Sequence, residues 1–145
     1  MLRAVLDTNL LARGLVASPT STTGFIVESW HSELFQLVVS QHILDELAET
    51  LKKPYFAQRV PAESIRRYIA EVQRRGTLTP ITVEVVGVAE HYADDLVLTT
   101  ALSGGASYVV TGDEGLRLVG SYEDVVILGP GEFCQILRDL QRSDL

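Results

Sequence analysis

Cysteine is almost absent from this sequence, in which Cys134 is the only one among 145 residues. A lone cysteine cannot close an internal disulfide bond, which excludes a small secreted scaffold held together by disulfides. Long hydrophobic runs are absent as well, because Asp7, Asn9 and Arg13 interrupt the apolar N-terminal segment. This segment therefore fits neither a signal peptide nor a membrane span. We expect a cytoplasmic protein without membrane contact, whose first strand begins almost at Met1.

Positive charge is scarce: 12 Lys and Arg residues stand against 19 Asp and Glu residues, for a formal net charge of −7. A protein that binds nucleic acid by broad neutralisation of phosphates is normally basic. Any nucleic-acid role of this chain must therefore depend on a local basic patch or on metal ions.

Several patterns of known catalytic and cofactor sites are missing. The three histidines, at 31, 42 and 91, have no zinc-ligand spacing to the cysteine, which argues against a zinc site. The glycines fit neither GxGxxG nor a P-loop, which argues against a nucleotide cofactor. No nucleophile-elbow pattern is present either.

The remaining composition is that of an ordinary globular protein, with 46% hydrophobic and 21% charged residues. A chain of this length is expected to form one domain. No internal repeat, low-complexity tract or linker divides it, so we predict a single domain over residues 1–145.

Short apolar runs alternate along the chain with segments of helical periodicity. The predicted strands are 2–6, 35–39, 107–111 and 125–128, with an extended stretch over 77–86 in which Pro80 indicates an edge position. The predicted helices are 9–17, one capped by Thr22 or Thr23, one capped by Ser40 and ended by Pro54, one opened by Pro61-Ala62-Glu63 and ending at about Arg75, about 94–103, 114–118 and 131 to about 141. This alternation predicts a parallel sheet flanked by helices, an α/β sandwich.

Four acidic residues occur where such a fold forms its ligand sites. Asp7 closes the first strand and Asp113 the third clear one, while Glu46 and Asp94 lie on helices that can reach the same edge. Crowded carboxylates repel each other unless cations neutralise them, and such hard oxygens suit Mg²⁺ or Mn²⁺. One or two of these ions can activate a water and stabilise the leaving oxygen in phosphodiester hydrolysis.

Each acid also has a structural interpretation when it is taken alone. Asp7 can be a helix N-cap, and Glu46 can belong to a solvated helix face. Asp94 with Asp95 can complement a helix dipole, and the Thr-Gly-Asp sequence at 111–113 can be an ordinary turn. Only their common placement near strand ends favours a shared site.

Four segments of the chain carry a resemblance to a known family: AVLDTNLLARGL, SQHILDEL, DDLVLTTALSGGASYVVTGDEGL and VVILGPGEFCQIL. In this order and spacing they resemble PIN-domain nucleases, specifically the small bacterial and archaeal toxin components of toxin–antitoxin systems (VapC-like proteins). Each segment alone is a loose pattern, but the set is specific and spans nearly the whole chain.

The resemblance implies a three-layer α/β/α sandwich with a central parallel sheet of about five strands. It implies a metal-dependent endoribonuclease that uses Mg²⁺ or Mn²⁺ to hydrolyse RNA phosphodiester bonds. The expected mechanism is in-line attack of an activated water on phosphorus, without a covalent enzyme intermediate. Such toxins are usually homodimers, and an antitoxin protein encoded alongside neutralises them.

The family's site residues carry over onto this sequence by motif. The catalytic residues, which hold metal or orient water, are Asp7, Glu46, Asp94 and Asp113. The supporting residues are Asn9, Thr111 and, as an additional acid, Asp95. Relatives often have another Asp three positions before Asp94, where this chain has His91, which we interpret as a surface residue.

Seven of the 12 basic residues lie between positions 52 and 75, which makes this segment locally positive. The candidate RNA contacts within it are Lys52, Lys53, Arg66 and Arg67. The alternative is a solvated helix face, since Arg67 and Glu71 have ion-pair spacing. Three nearby aromatic residues could stack on bases, although a buried or dimer-facing role is favoured for them: Tyr55, Phe56 and Tyr68.

Three other functions are alternatives to that of a toxin. A nuclease of the same fold could process RNA or act on DNA. A non-catalytic PIN module could bind RNA or protein without cutting, although the complete set of four acids argues against it. A flavodoxin-like phosphoacceptor domain ranks last, because it would need a paired acid near Asp7 and a well-placed lysine.

Overall fold

The computed structural model describes residues 1–143, which form six strands and eight helices. The strands are β1 (Arg3–Leu6), β2 (Gln36–Val39), β3 (Thr77–Leu78), β4 (Tyr108–Val110), β5 (Ser121–Tyr122) and β6 (Val125–Leu128). The helices are α1 (Thr8–Arg13), α2 (Thr22–His31), α3 (Gln41–Leu51), α4 (Pro54–Ala57), α5 (Ala62–Arg75), α6 (Tyr92–Ser103), α7 (Glu114–Val119) and α8 (Pro130–Ser143). In this part of the chain, no helix combines the length and the apolar character that a membrane crossing requires.

The strands form one sheet in the order β3-β2-β1-β4-β6-β5. Five of them run parallel, and β5 pairs antiparallel with β6. The predicted three-layer α/β/α sandwich with about five parallel strands is therefore confirmed. Strand β5 was not predicted, because its two residues are too few to show a hydrophobic pattern.

Strand β1 lies in the middle of the sheet, and its position determines where a ligand site can form. From β1 the chain first adds β2 on one side and later adds β4 on the other. A crevice opens beyond the carboxyl ends of two parallel strands where the order reverses in this way. Ala4, Val5 and Leu6 are at most 1% exposed, so the strand below this crevice is firmly packed.

Most predicted helices are present, with some different boundaries. Helix α5 begins within the predicted Pro61-Ala62-Glu63 and ends at Arg75, and Ser40 caps α3 as expected, since its hydroxyl accepts the N–H of Ile43. Helix α1 ends at Arg13 and is shorter than predicted. The four-residue helix α4 follows directly where Pro54 was expected to end a helix, with Pro54 itself in its first turn.

The extended strand predicted over 77–86 is wrong beyond its first two residues. Thr77 and Leu78 pair with β2 at the edge of the sheet, as Pro80 suggested, and the Thr79 N–H adds a last 2.9 Å bond to the Val39 carbonyl oxygen. The backbone that follows bonds to α6 instead, through three side chains at four-residue spacing. Ser103 Oγ accepts the N–H groups of residues 82 and 83, Thr99 Oγ1 accepts that of 85, and Asp95 accepts those of 87–89. We call this set the α6 ladder.

Helix α5 is attached to the rest of the protein through a buried tyrosine. The Tyr68 hydroxyl donates a 2.6 Å hydrogen bond to the carbonyl oxygen of Leu11 in α1. Gly14 permits this approach, since a Cβ at that position would lie 2.8 Å from the Tyr68 hydroxyl. Burial, and secondly the charge of Glu71, raises the pKa of Tyr68, so the hydroxyl remains a donor across the physiological range.

We predict that Tyr68→Phe lowers the free energy of unfolding by about 1 kcal/mol, because one buried hydrogen bond is lost while the ring remains. Urea denaturation followed by circular dichroism measures this change. Tyr92→Phe is the matched control, since Tyr92 is 68% exposed and should unfold like the wild type. Equal stability of Tyr68→Phe and wild type would contradict a contribution of this bond.

Candidate functional site

Asp7 and Asp113 come together because β1 and β4 are neighbours in register. Leu6 pairs with Val110, so the residues that follow them, Asp7 and Thr111, leave the sheet side by side. The backbone N–H of Asp7 continues the pairing with a 3.0 Å bond to the carbonyl oxygen of Val110. Two residues after Thr111 on the same chain is Asp113, which brings the second carboxylate to this edge.

Thr111 connects the two acids through its hydroxyl group. Its Oγ1 donates to Asp7 Oδ2 and accepts the backbone N–H of Asp113 at 3.0 Å. The residue is fully buried, so this hydroxyl has a fixed orientation. Thr111 was predicted to support the site, and the structure places its hydroxyl between the two acids.

Both acids are also helix N-caps. Asp7 Oδ1 accepts the N–H of Leu10 at 2.7 Å at the start of α1, and Asp113 Oδ2 accepts that of Leu116 at 2.9 Å at the start of α7. The capping bonds hold the carboxylates at the edge of the sheet and place them near positive helix ends.

Asp94 lies in the first turn of α6, opposite these two residues. The pKa of Asp94 is raised, first by burial and then by the charge of Asp113, with smaller effects of Asp7 and Glu46 in the same direction. The nearby His91 acts against this increase. The other three predicted catalytic acids are thus close enough to Asp94 to act on its charge.

Glu46 reaches the same place from α3, the helix after β2. Its side chain is 38% exposed, and Oε2 lies 3.3 Å from Nε2 of His42 one helical turn earlier. Asp45 points elsewhere and accepts a hydrogen bond from Gln41. Of the neighbouring acids on this helix, Glu46 is the one that joins the site.

One cavity of about 90 Å³ collects all four acids, and we call it the acidic cavity. It is lined by Asp7, Thr8, Asn9, Glu46, Ala93, Asp94, Val97 and Asp113. Its volume admits several water molecules. Carboxylate and amide oxygens together with water form the ligand set that Mg²⁺ and Mn²⁺ prefer. The donor chemistry of the acidic cavity therefore fits such an ion.

The acids surround this cavity without converging on a single point. Within residues 1–143, no group of three or more His, Cys, Asp or Glu side chains is already arranged to hold a metal ion. Both oxygens of Asp7 are engaged by the Leu10 N–H and the Thr111 hydroxyl, which limits how far this side chain can move inward. Mg²⁺ commonly takes one or two carboxylates directly and keeps several waters, which suits this more open arrangement.

A larger cavity of about 490 Å³ adjoins the acidic cavity, and we call it the outer cavity. The two share Asp7, Asn9 and Asp113, and the outer one adds Arg13, Tyr55, Phe56 and Gly112. Sequence reasoning missed Arg13 as a site residue. Its position four residues after Asn9 was the available signal, because side chains at this spacing share one face of a helix.

Asp95 has a different position from its neighbour Asp94. It is 3% exposed, and its carboxylate accepts the N–H groups of Gly87, Val88 and Ala89 as the first step of the α6 ladder. Asp95 was expected as an additional acid of the site. In the structure, Asp95 binds the loop at residues 87–89 and not the acidic cavity. It can affect the site only by holding the backbone that leads into α6.

The predicted RNA contacts are exposed, between α3 and α4 and on α5. Lys52 pairs with Glu49 at 3.0 Å and Arg66 with Glu63 at 2.7 Å. The list is completed by Lys53, which precedes α4, and Arg67 on α5. Glu71, which has ion-pair spacing to Arg67, instead contacts His31 and Arg75. Exposed pairs of this kind are weak, so these basic side chains can exchange partners at little cost.

Comparisons with known proteins give the following matches. A family model described as PIN domain matches residues 3–115. A search of curated protein sequences found no significant match.

Three similar solved structures share the fold at low sequence identity. PAE2754 from Pyrobaculum aerophilum aligns with a TM-score of 0.64 at 16% identity, over 95% of this chain and 90% of that one. VapBC2 from Rickettsia felis, bound to a DNA fragment from their promoter, has a TM-score of 0.60 at 12% identity, over 88% and 98%. FitAcB from Neisseria gonorrhoeae has a TM-score of 0.54 at 18% identity, over 88% and 98%.

We predict that Asp94→Asn raises the melting temperature above that of the wild type at pH 7 in EDTA. A raised pKa means that the folded state binds the Asp94 proton more tightly than the unfolded state does. The wild type therefore loses stability as the pH rises through the folded pKa. Below pH ~4, where the unfolded residue is also protonated, the difference should vanish. Thermal melts from pH 4 to 7 measure it.

Asp95→Asn is the matched control for this prediction, and its expected effect has the opposite sign. An amide NH₂ cannot accept the N–H groups that Asp95 Oδ1 and Oδ2 now accept, so the melting temperature should fall at pH 7. Equal destabilisation by both substitutions would contradict the separate roles of these neighbouring acids.

Proposed function

Because this chain belongs to the PIN-domain family, whose members are in general nucleases, we propose that it is a metal-dependent endoribonuclease. One observation carries the proposal: four acids from four separate elements line one small cavity beyond the ends of β1 and β4. The pKa of Asp94 is raised there, first by burial and then by the charges of Asp113, Asp7 and Glu46, which a charge on an open helix face would not show. The substrate we propose is RNA, and the bond broken is a phosphodiester.

The residues proposed to hold Mg²⁺ or Mn²⁺ are Asp7, Glu46, Asp94 and Asp113. When bound, such an ion activates a water for attack on phosphorus and stabilises the leaving oxygen. The side chains have distinct tasks around it. Thr111 keeps Asp7 in one orientation, and the Asn9 amide at the rim can donate a hydrogen bond to a phosphate oxygen. Arg13, in the outer cavity, can pair with a phosphate at the entrance.

We further propose that the chain is a single PIN domain over 1–145, acts in the cytoplasm as a homodimer, and is the toxin of a toxin–antitoxin pair. The motif resemblance described above supports this assignment. Two of the similar structures, FitAcB and VapBC2, have names that denote two-part assemblies, which supports a protein partner. The expected partner is an antitoxin encoded alongside.

Cleavage of a labelled RNA pool tests the catalytic proposal. With Mn²⁺ or Mg²⁺ the wild type should cut, and EDTA should abolish cutting. Asp94→Asn and Glu46→Gln should each lower the rate at least ~100-fold, more than loss of an outer partner of a metal ligand usually does. Glu49→Gln is the matched control, since Glu49 lies on the same helix in an exposed pair with Lys52. Cutting that survives EDTA and both substitutions would contradict the proposed site.

The role of Thr111 gives a second test that does not depend on knowing the RNA. Thr111→Val keeps the shape of the side chain but removes the hydroxyl that orients Asp7 and accepts the Asp113 N–H. We expect Mn²⁺ affinity, measured by calorimetry, to fall ~10- to 100-fold. Thr99→Val, which removes a threonine hydroxyl from the α6 ladder, should leave the Mn²⁺ affinity unchanged. Wild-type affinity in Thr111→Val would show that Asp7 is oriented without this hydroxyl.

A further inference from the structure

Glu46 differs from Asp7 and Asp113 in how its carboxylate is held. Those two acids cap helices, and the Thr111 hydroxyl bonds to Asp7 as well. Glu46 starts from the middle of α3 and has a longer side chain, whose ordering costs more conformational entropy. Within residues 1–143, the one basic side chain that contacts its carboxylate is His42. His42 is thus the candidate for a group that orients Glu46.

His42 has a buried donor that lacks an acceptor. Its side chain is 38% exposed, but Nε2 is buried and has no hydrogen-bond partner among the described residues. A buried donor without an acceptor is costly, and Glu46 Oε2 lies 3.3 Å away. This distance is slightly longer than that of a usual N–H···O bond, so a small rotation of either side chain would complete it. Neutral imidazole can carry its proton on Nε2, so the bond does not require a charged ring.

Helix α6 fixes the start of the helix that carries His42. Ser40, the N-cap of α3, forms a buried 2.8 Å hydrogen bond with Thr100 of α6. The Thr100 hydroxyl donates to a carbonyl oxygen of its own helix, so Ser40 is the donor in this bond. The first turn of α3 is therefore held against the helix that carries Asp94. His42 and Glu46 are one helical turn apart, the spacing at which side chains meet on one face.

His42 also stands between two cavities. Glu46 lines the acidic cavity, whereas His42 lines a second cavity of about 220 Å³ between α3, α6 and residues 81–86. The acid of this second cavity, Glu84, forms no ion pair with His42 within residues 1–143. The ring thus has the Glu46 carboxylate on one side and open space on the other. If the ring were removed, an imidazole molecule from solution could reach its place.

We propose that His42 is a positioning residue for the metal site. Its Nε2–H holds one oxygen of the Glu46 carboxylate and leaves the other directed to the ion in the acidic cavity. This rests on the proposed function, in which Glu46 is a metal ligand. Groups that hydrogen-bond to a metal ligand typically contribute ~10- to 100-fold to metal affinity. The opposite arrangement, in which His42 draws Glu46 away from the ion, predicts tighter metal binding without the ring.

Calorimetric titration of the full chain with Mn²⁺ at neutral pH tests this role. His42→Ala should lower the Mn²⁺ affinity about 10-fold, while α3 persists because alanine favours helix. His42→Gln keeps an N–H group at similar reach and should restore most of the affinity. Imidazole added to His42→Ala should restore part of it and should leave the affinity of the wild type unchanged. A loss caused by altered packing would be repaired by neither.

Gln41→Ala is the matched control, because Gln41 forms the neighbouring pair of the same spacing on α3, with Asp45 at 2.9 Å. Its Mn²⁺ affinity should equal that of the wild type. Since His42 acts through Glu46, adding His42→Ala to Glu46→Gln should cause no further loss. The proposal is overturned by unchanged or higher affinity in His42→Ala, by failure of both rescues, by an equal loss in Gln41→Ala, or by additive losses in the double variant.

Glu46→Gln separates this inference from the function on which it rests. If Glu46→Gln loses Mn²⁺ affinity while His42→Ala binds like the wild type, the metal site stands and the role of His42 is wrong. If Glu46→Gln binds like the wild type, or the wild type binds no Mn²⁺, the proposed metal site fails and the role of His42 fails with it.

Discussion

Repulsion between carboxylates is the constraint on which the candidate site depends. Asp7, Asp94 and Asp113 surround a cavity of about 90 Å³, and the pKa of Asp94 is raised first by its burial there and then by the charge of Asp113, with a smaller effect of Asp7. The side chains cannot swing apart freely, because caps and the Thr111 hydroxyl fix two of them. The buried strands β1 and β4 fix the backbone from which they emerge. Core packing thus supplies the stability that offsets the repulsion. A bound cation would reduce the repulsion itself by neutralising the carboxylates.

The structural and functional interpretations of these acids turn out to be compatible. Asp7 and Asp113 are N-caps, as the local sequence suggests, and they also line the acidic cavity. A capping bond determines where the carboxylate points, and this is what a metal ligand needs from the surrounding protein. The same hydrogen bond therefore begins a helix and orients an oxygen. In this fold, a cap at the end of a central strand is also a position on the ligand-binding edge.

Sequence patterns predict the features that depend on neighbouring residues along the chain. The strands that precede Asp7 and Asp113 are visible as apolar runs, and the edge to which they lead follows from the parallel topology. Charge and periodicity alone do not distinguish Asp94 from Asp95; the family motif selected Asp94, and the packing of α6 places Asp94 at the cavity and Asp95 against residues 87–89. Helix α4 is too short to show periodicity, and Arg13 becomes part of a site only through the loop at Gly112. The residues from 79 onward have strand composition, but α6 offers their backbone other partners.

The α6 ladder has a consequence for the behaviour of the protein at high concentration. Residues 77–86 are rich in β-branched side chains, and such a segment at the edge of a sheet can recruit the same segment of another molecule and start aggregation. Here the N–H groups of residues 82, 83 and 85 are already bonded to Ser103 and Thr99, so these donors are not free to pair with another molecule. Helix α6 thereby reduces self-association next to the edge strand β3. Loss of a ladder side chain would free those donors, and the first effect would be seen in light scattering.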